Sequence, residues 1–207
     1  WSSDVCSSDL AGNAVHHHQG GVEVQTEKTW EFASHYKLPR ALVINKLDRE
    51  RSSFERALES VQANFGRSAV PIQIPLGSER DFRGVIDLIQ MKAVTYEPGG
   101  NGTGKVEDIP AAAADAAQKA HEALVEMVAE GNDELMEEFF EKGGLSPERI
   151  LEGLSSAVAE MRLYPVLCAS AYLNAGADLI LNFIVEHFPH PGRRGPVTGQ
   201  QNGTEVA

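Results

Sequence analysis

The chain is poor in cysteine, in aromatic residues and in positive charge, and each shortage narrows what it can be. Its 207 residues include 18 lysines and arginines against 30 acids, for a formal net charge of −12. Proteins that bind nucleic acid nonspecifically usually carry a basic face, so general DNA or RNA binding is not indicated. The two cysteines, Cys6 and Cys168, form neither a disulfide framework nor a zinc-ligand spacing, which fits a reducing compartment. No apolar run approaches the ~20 residues of a membrane span. The first residues lack the charged-then-apolar order of a secretory signal. The chain is nonetheless 42% hydrophobic, enough to core one or two globular domains.

The most informative stretch begins at Ala41-Leu42-Val43-Ile44, a short apolar run that reads as a buried strand. Asn45-Lys46-Leu47-Asp48 follows, and then a polar loop from Arg49 to Ser53. A strand ending in Asn-Lys-x-Asp is a guanine-reading pattern. An ionised Asp48 can accept from both N1–H and the exocyclic amine of guanine, and such paired charge-assisted bonds are strong and directional. Adenine lacks that donor pair, and a site left with a buried unpaired acceptor can discriminate by roughly 10⁴-fold. The Lys46 stem can lie along the base while its ammonium stays in water. Asn45 can brace the loop through its amide.

Around this motif the pattern is helix, strand, helix, the rhythm of a parallel α/β sheet. Residues 22–36 read as helical, with Trp30, Ala33 and Tyr36 or Lys37 on one face. Ser53 can cap a helix whose Phe54, Leu58, Val61 and Phe65 form one stripe, ended by Gly66 in the left-handed conformation. The rhythm then breaks into short strands near 72–74, 85–89, 93–96 and 106–109, joined by turns and a flexible loop from Gly99 to Gly104. An alanine-led helix, a helix over 133–141 and one started by Ser146-Pro147-Glu148 come next. Pro165 to Cys168 restores a buried strand. It is followed by Ala169-Ser170-Ala171 and a last helix striped by Leu179, Ile180, Phe183, Ile184 and His187, with prolines beyond. In open α/β sheets ligands sit beyond the carboxyl ends of strands. If the two strands are neighbours, backbone N–H groups at Ser170 or Ala171 can donate to guanine O6.

Other features read as structural. Gly99 to Lys105 fits G-x-x-x-x-G-K, but Val106 stands where a Mg²⁺-binding Ser or Thr belongs, and neither a buried strand nor a helix flanks it. A hairpin loop is the better reading. His16-His17-His18 could hold a metal, but reads better as a tag-like or disordered start. Cys168 reads as a small buried hydrophobe. The acids from Glu122 to Glu141 read as a solvated helix face, or as a face attractive to a basic partner. Residues 1–10, WSSDVCSSDL, resemble a translated sequencing adapter and are set aside. Residues 192–207 read as a linker leading to a further domain.

The stretches GVEVQTEKTW, PRALVINKLDR, DFRGVIDLIQMKA and PVLCASAYLNAGADLILNFIVEHFPHP resemble the GTP-binding region of bacterial elongation factor G and its paralogues. The third is the most specific, because it lies in a subdomain that simpler GTPases lack. Leu47 and Arg51-Ser52-Ser53 drift from the commonest pattern, which fits a paralogue equally well. The resemblance implies a truncated P-loop GTPase-type parallel α/β sheet over 11–70 and 161–191, interrupted by an α+β insert over 71–160. It implies that Asn45, Lys46, Leu47 and Asp48, with Ser170 and Ala171, bind the base of GTP or GDP. It implies a cytoplasmic partner of the ribosome, including its stalk protein, acting in translocation during polypeptide elongation. The net negative charge does not exclude a ribosome reached through specific patches.

GTP hydrolysis also needs a phosphate loop, a Mg²⁺ ligand and a water-positioning residue. The resemblance places these before Gly20, so the expectation is an internal fragment that hydrolyses nothing by itself. A nucleotide-silent ribosome-interaction module and a ribosomal-protection or release-factor type of translational GTPase are the alternatives.

Overall fold

The structure is a computed structural model that describes residues 12–16, 22–188, 199–201 and 204–206, with backbone alone for the first and the last two of these stretches. A parallel sheet runs in the order β1-β2-β8-β3, formed by β1 (Gly12–His16), β2 (Arg40–Ile44), β8 (Tyr164–Cys168) and β3 (Ala69–Pro71). All three pairings are parallel. Every residue of β2 is buried, as are Pro165 to Cys168 of β8. Continuous apolar runs of this kind belong to central strands covered on both faces. The short β3 had no periodicity to betray it, and its Pro71 is tolerated at the sheet edge.

Three helices serve this sheet: α1 (Val24–His35), α2 (Phe54–Phe65) and α6 (Ala177–His187). Ser53 caps α2 by accepting from Arg56 N–H at 3.3 Å. Phe54, Ala57 and Val61 are buried on its inner face. Gly66 ends it with φ 87° and ψ 171°, which corrects the left-handed helical cap expected there. The positive φ still favours glycine. Helix α1 stops one residue before Tyr36, which is exposed, and its buried residues are Thr26 and Ala33. Trp30 stacks on Phe65 at 4.0 Å between ring centroids, and the Arg40 guanidinium lies 4.3 Å from the Trp30 ring centre.

Between β3 and β8 the chain builds a second, antiparallel sheet in sequential order. Its strands are β4 (Gln73–Leu76), β5 (Gly84–Asp87), β6 (Lys92–Thr95) and β7 (Lys105–Glu107). The strand expected over 85–89 stops at Asp87, whose Oδ1 accepts from Ile89 N–H at 2.8 Å and Gln90 N–H at 3.0 Å. An aspartate turn of this kind diverts the chain from the ladder. Helix α3 (Ala111–Ala129) packs on β3 and β4, and α4 (Asp133–Lys142) and α5 (Pro147–Ala159) pack against α3. Leu124, Val128, Leu135, Ile150 and Leu154 pack with Ile86 and Leu88 in one core. Asn132 and Ser146 cap α4 and α5 by accepting from Leu135 and Arg149 N–H.

The sheets are tied where β4 leaves β3. The buried Gln73 accepts from Cys168 N–H through its Oε1 at 3.2 Å, and the Cys168 thiol reaches Gln73 O at 3.4 Å.

At the ends, His16 closes β1 in register with Ile44, which corrects the disordered start expected there. His17, His18 and residues 1–10 lie outside the described residues. Within the expected linker, β9 (Gly199–Gln201) and β10 (Thr204–Val206) pair antiparallel. The rest of 192–207 lies outside the described residues.

Candidate functional site

Strands β2 and β8 are neighbours with Ile44 opposite Cys168, so the loops after both strands leave the same edge of the sheet. Ala169 N–H extends the pairing by donating to Ile44 O at 3.0 Å. The Asn45–Asp48 loop and the Ala169–Ala171 loop therefore lie side by side.

The first loop is anchored from below. Leu47 is buried among Leu42, Ile44 and Phe54, and its carbonyl accepts from the buried Ser52 hydroxyl at 2.9 Å. Lys46 turns the chain with φ 63°. Asn45 Oδ1 accepts from Lys46 N–H at 2.7 Å and from Ala171 N–H at 3.0 Å, which makes it the brace between the loops.

Asp48 stands over the junction. Its Oδ1 accepts from the Ser170 hydroxyl at 2.5 Å, across a sequence separation of 122 residues. Its Oδ2 is 3.7 Å from Arg49 Nε, beyond a good hydrogen bond. A carboxylate offers about four lone-pair sites, so Asp48 keeps acceptor capacity after binding Ser170.

The second loop is a tight turn. Ser170 and Ala175 exchange backbone bonds of 3.0 Å each, and Ser170 Oγ also accepts from Leu173 N–H at 3.2 Å. Ser170 is fully buried, while Ala171 is exposed. Gly176 closes the turn with φ 85°, and a β-carbon there would lie 2.5 Å from Cys168 O. Only glycine accommodates both the close approach and the dihedral without strain.

All six candidate residues are thus brought together. The expectation for the two backbone donors needs correction, because neither is open. Ser170 N–H is held by Ala175 O and Ala171 N–H by Asn45 Oδ1. The turn satisfies the first amide and the loop after β2 satisfies the second, which residue types alone do not reveal.

Sequence reasoning also missed Tyr172 and Arg49 as a pair. Tyr172 is exposed, and the Arg49 guanidinium carbon lies 5.2 Å from its ring centre, beside Asp48. An aromatic residue after a Ser-Ala turn and a cation after the Asp were the only available signals.

Three other readings are decided by the geometry. Gly99 to Lys105 connects β6 to β7, and Lys105 opens β7 with its ammonium 2.6 Å from Glu107. It is a hairpin and not a phosphate loop. Burial pushes the Cys168 thiol pKa well up, which disfavours the nucleophilic thiolate. Among the described residues no group of three or more His, Cys, Asp or Glu side chains could hold a metal ion, and no helix is long and apolar enough to cross a membrane.

Comparison with known proteins agrees with this layout. The family described as the elongation factor Tu GTP binding domain matches residues 8–190. A crystal structure of a protein from Thermus thermophilus superposes with a TM-score of 0.76 at 29% sequence identity. The match covers 90% of this chain and 27% of that one, so this chain spans little more than a quarter of that protein's length.

Proposed function

The chain belongs to the family of elongation factor Tu GTP-binding domains, and from that premise we propose that Asp48, seated on Ser170, reads the base of GTP or GDP. The observation that carries this reading is the 2.5 Å bond from the Ser170 hydroxyl to Asp48 Oδ1. It fixes the carboxylate at the edge of the sheet and leaves acceptor sites for guanine N1–H and the exocyclic amine. Asn45 holds the two loops at one spacing, and Lys46 lies along the base.

On this reading the parent protein is a translational GTPase of the elongation factor G type, acting in the cytoplasm on ribosomal translocation. The insert over 71–160 meets the ribosomal stalk, within a GTP-binding unit formed by 11–70 and 161–191. The part of that activity assigned to the residues described above is base recognition. A bound nucleotide would supply the phosphate chemistry. This chain's own residues select the base, orient it and exclude adenine.

The closed state of both backbone donors favours a second reading, a ribosome-interaction module that has lost nucleotide binding. Calorimetric titration of the full-length protein with GDP, ADP and xanthosine diphosphate separates the two. Base reading requires GDP binding without ADP binding. It also requires Asp48→Asn to weaken GDP by at least about 100-fold, since two bonds to a charged acceptor are lost. Xanthosine diphosphate should recover the loss, because an amide donates where the carboxylate accepted. Equal affinity of the variant for GDP and xanthosine diphosphate would refute the assignment.

A further inference from the structure

The antiparallel sheet touches both base-site loops, at two separate points of unequal strength. At the first, the turn Glu79–Asp81 between β4 and β5 meets the loop beyond Asp48. Glu79 Oε1 accepts from Arg51 N–H at 3.0 Å, and Arg80 pairs with Glu50. These contacts are exposed, and exposed pairs contribute little.

At the second, the β6–β7 connection grips the segment that carries Ser170 and Ala171. Tyr96, only 9% exposed, donates its hydroxyl to Asp178 Oδ1 at 2.6 Å. Gly104 N–H donates to the other oxygen, Oδ2, at 3.0 Å. Asp178 lies in the first turn of α6, where a negative charge is favoured. Gly102 is pressed so close to Asn174 that a β-carbon would fall 2.3 Å from its Nδ2. The hairpin therefore clasps the base turn at Asn174 and α6 at Asp178. Burial beside Asp178 also pushes the Tyr96 phenol pKa up, so the hydroxyl remains a donor.

We infer that Tyr96 and Gly104, acting through Asp178, position the Ser170–Ala175 turn against Asp48, so that docking of the β6–β7 hairpin sets guanine-nucleotide affinity. Asp178 is a positioning residue here, remote from the base itself. The inference rests on the base-reading proposal for its functional consequence, though not for the clasp. Hydrogen bonds to charged groups are the stronger kind, and this one is partly buried, so its loss is felt in the turn it anchors.

Amide hydrogen exchange of the whole chain, wild type against Tyr96→Phe and Gly102→Ala, tests it. Phenylalanine removes only the hydroxyl. Alanine at Gly102, where φ is +82°, strains the hairpin backbone and displaces the Asn174 amide packed against it. Both variants should speed exchange at residues 170–176 by about ten-fold or more, with α4 unchanged. GDP affinity, titrated on the full-length protein, should fall by a similar factor. Unchanged exchange at 170–176 in both variants overturns the clasp, as does acceleration spread evenly over the chain. Faster exchange with undiminished GDP affinity overturns its functional consequence. Failure of the full-length wild type to bind GDP at all overturns the base-reading proposal and, with it, the functional consequence, while the exchange result still decides the clasp.

Discussion

Replacing Ser170 with alanine isolates the contact on which the proposed base recognition turns. The hydroxyl makes two bonds, donating to Asp48 Oδ1 at 2.5 Å and accepting from Leu173 N–H at 3.2 Å. Ser170 is fully buried, so water does not readily replace either partner. Loss of a hydrogen bond to a charged group costs about 1.5–3 kcal/mol, and a neutral one contributes about 1 kcal/mol. Leu173 is only half-buried, so its N–H recovers part of its loss from solvent. The expected destabilisation is about 2–3 kcal/mol. Urea unfolding of the chain measures it directly. Ser170→Thr keeps the hydroxyl and should recover the bonds, less the cost of fitting a methyl group into a filled space. A loss below about 0.5 kcal/mol for Ser170→Ala, within the range of an ordinary surface substitution, would refute the claim that this hydroxyl seats Asp48.

Three further outcomes are expected. Gly176→Ala should destabilise by about 2 kcal/mol or more, because both φ +85° and the 2.5 Å approach to Cys168 O oppose a β-carbon; a neutral effect in thermal unfolding would contradict the close-approach argument. Cys168 should resist thiol reagents in the native chain and react only on unfolding, since it is fully buried with a raised pKa; rapid native labelling would disprove this. His187 sits beside the Ser155 hydroxyl, Glu186 and Asp87, and burial lowers its pKa against the pull of those two acids. A lowered pKa means that its contribution to stability is present above the unfolded value of about 6.5 and fades as pH falls through the native one. The unfolding midpoint of wild type should therefore fall more steeply below about pH 6.5 than that of His187→Gln, and parallel curves would refute it.

Much of the site was legible in the residues alone. Asn45 to Asp48 stood out because a polar tetrapeptide directly after four apolar residues has few structural uses. Ser53 and Ser146 lie where helices start, and Ser146-Pro147 announced its helix in full, whereas the Asn132 cap emerged only in the structure. Asp87 was harder. Its neighbours extend the apolar run to Ile89, and only its side-chain bonds to the next two amides end the strand. Likewise β3 was too short, at three residues, to show a period. Its place beside β8 depends on where the inserted sheet sends the chain.

The linear order of residues was enough to determine the central strands β2 and β8, the caps at Ser53 and Ser146 and the acid proposed to read guanine. Each of these depends on residue type and spacing within a few positions, where dihedral preference and burial act locally. Tertiary structure alone decided what the acid rests on and what holds its partner loop. Asp48 meets Ser170 across 122 residues, and Tyr96 meets Asp178 across 82. The first forms only once β2 and β8 have paired and the second only once the inserted sheet has packed on α6, because closing those loops costs entropy that the assembled core must first repay.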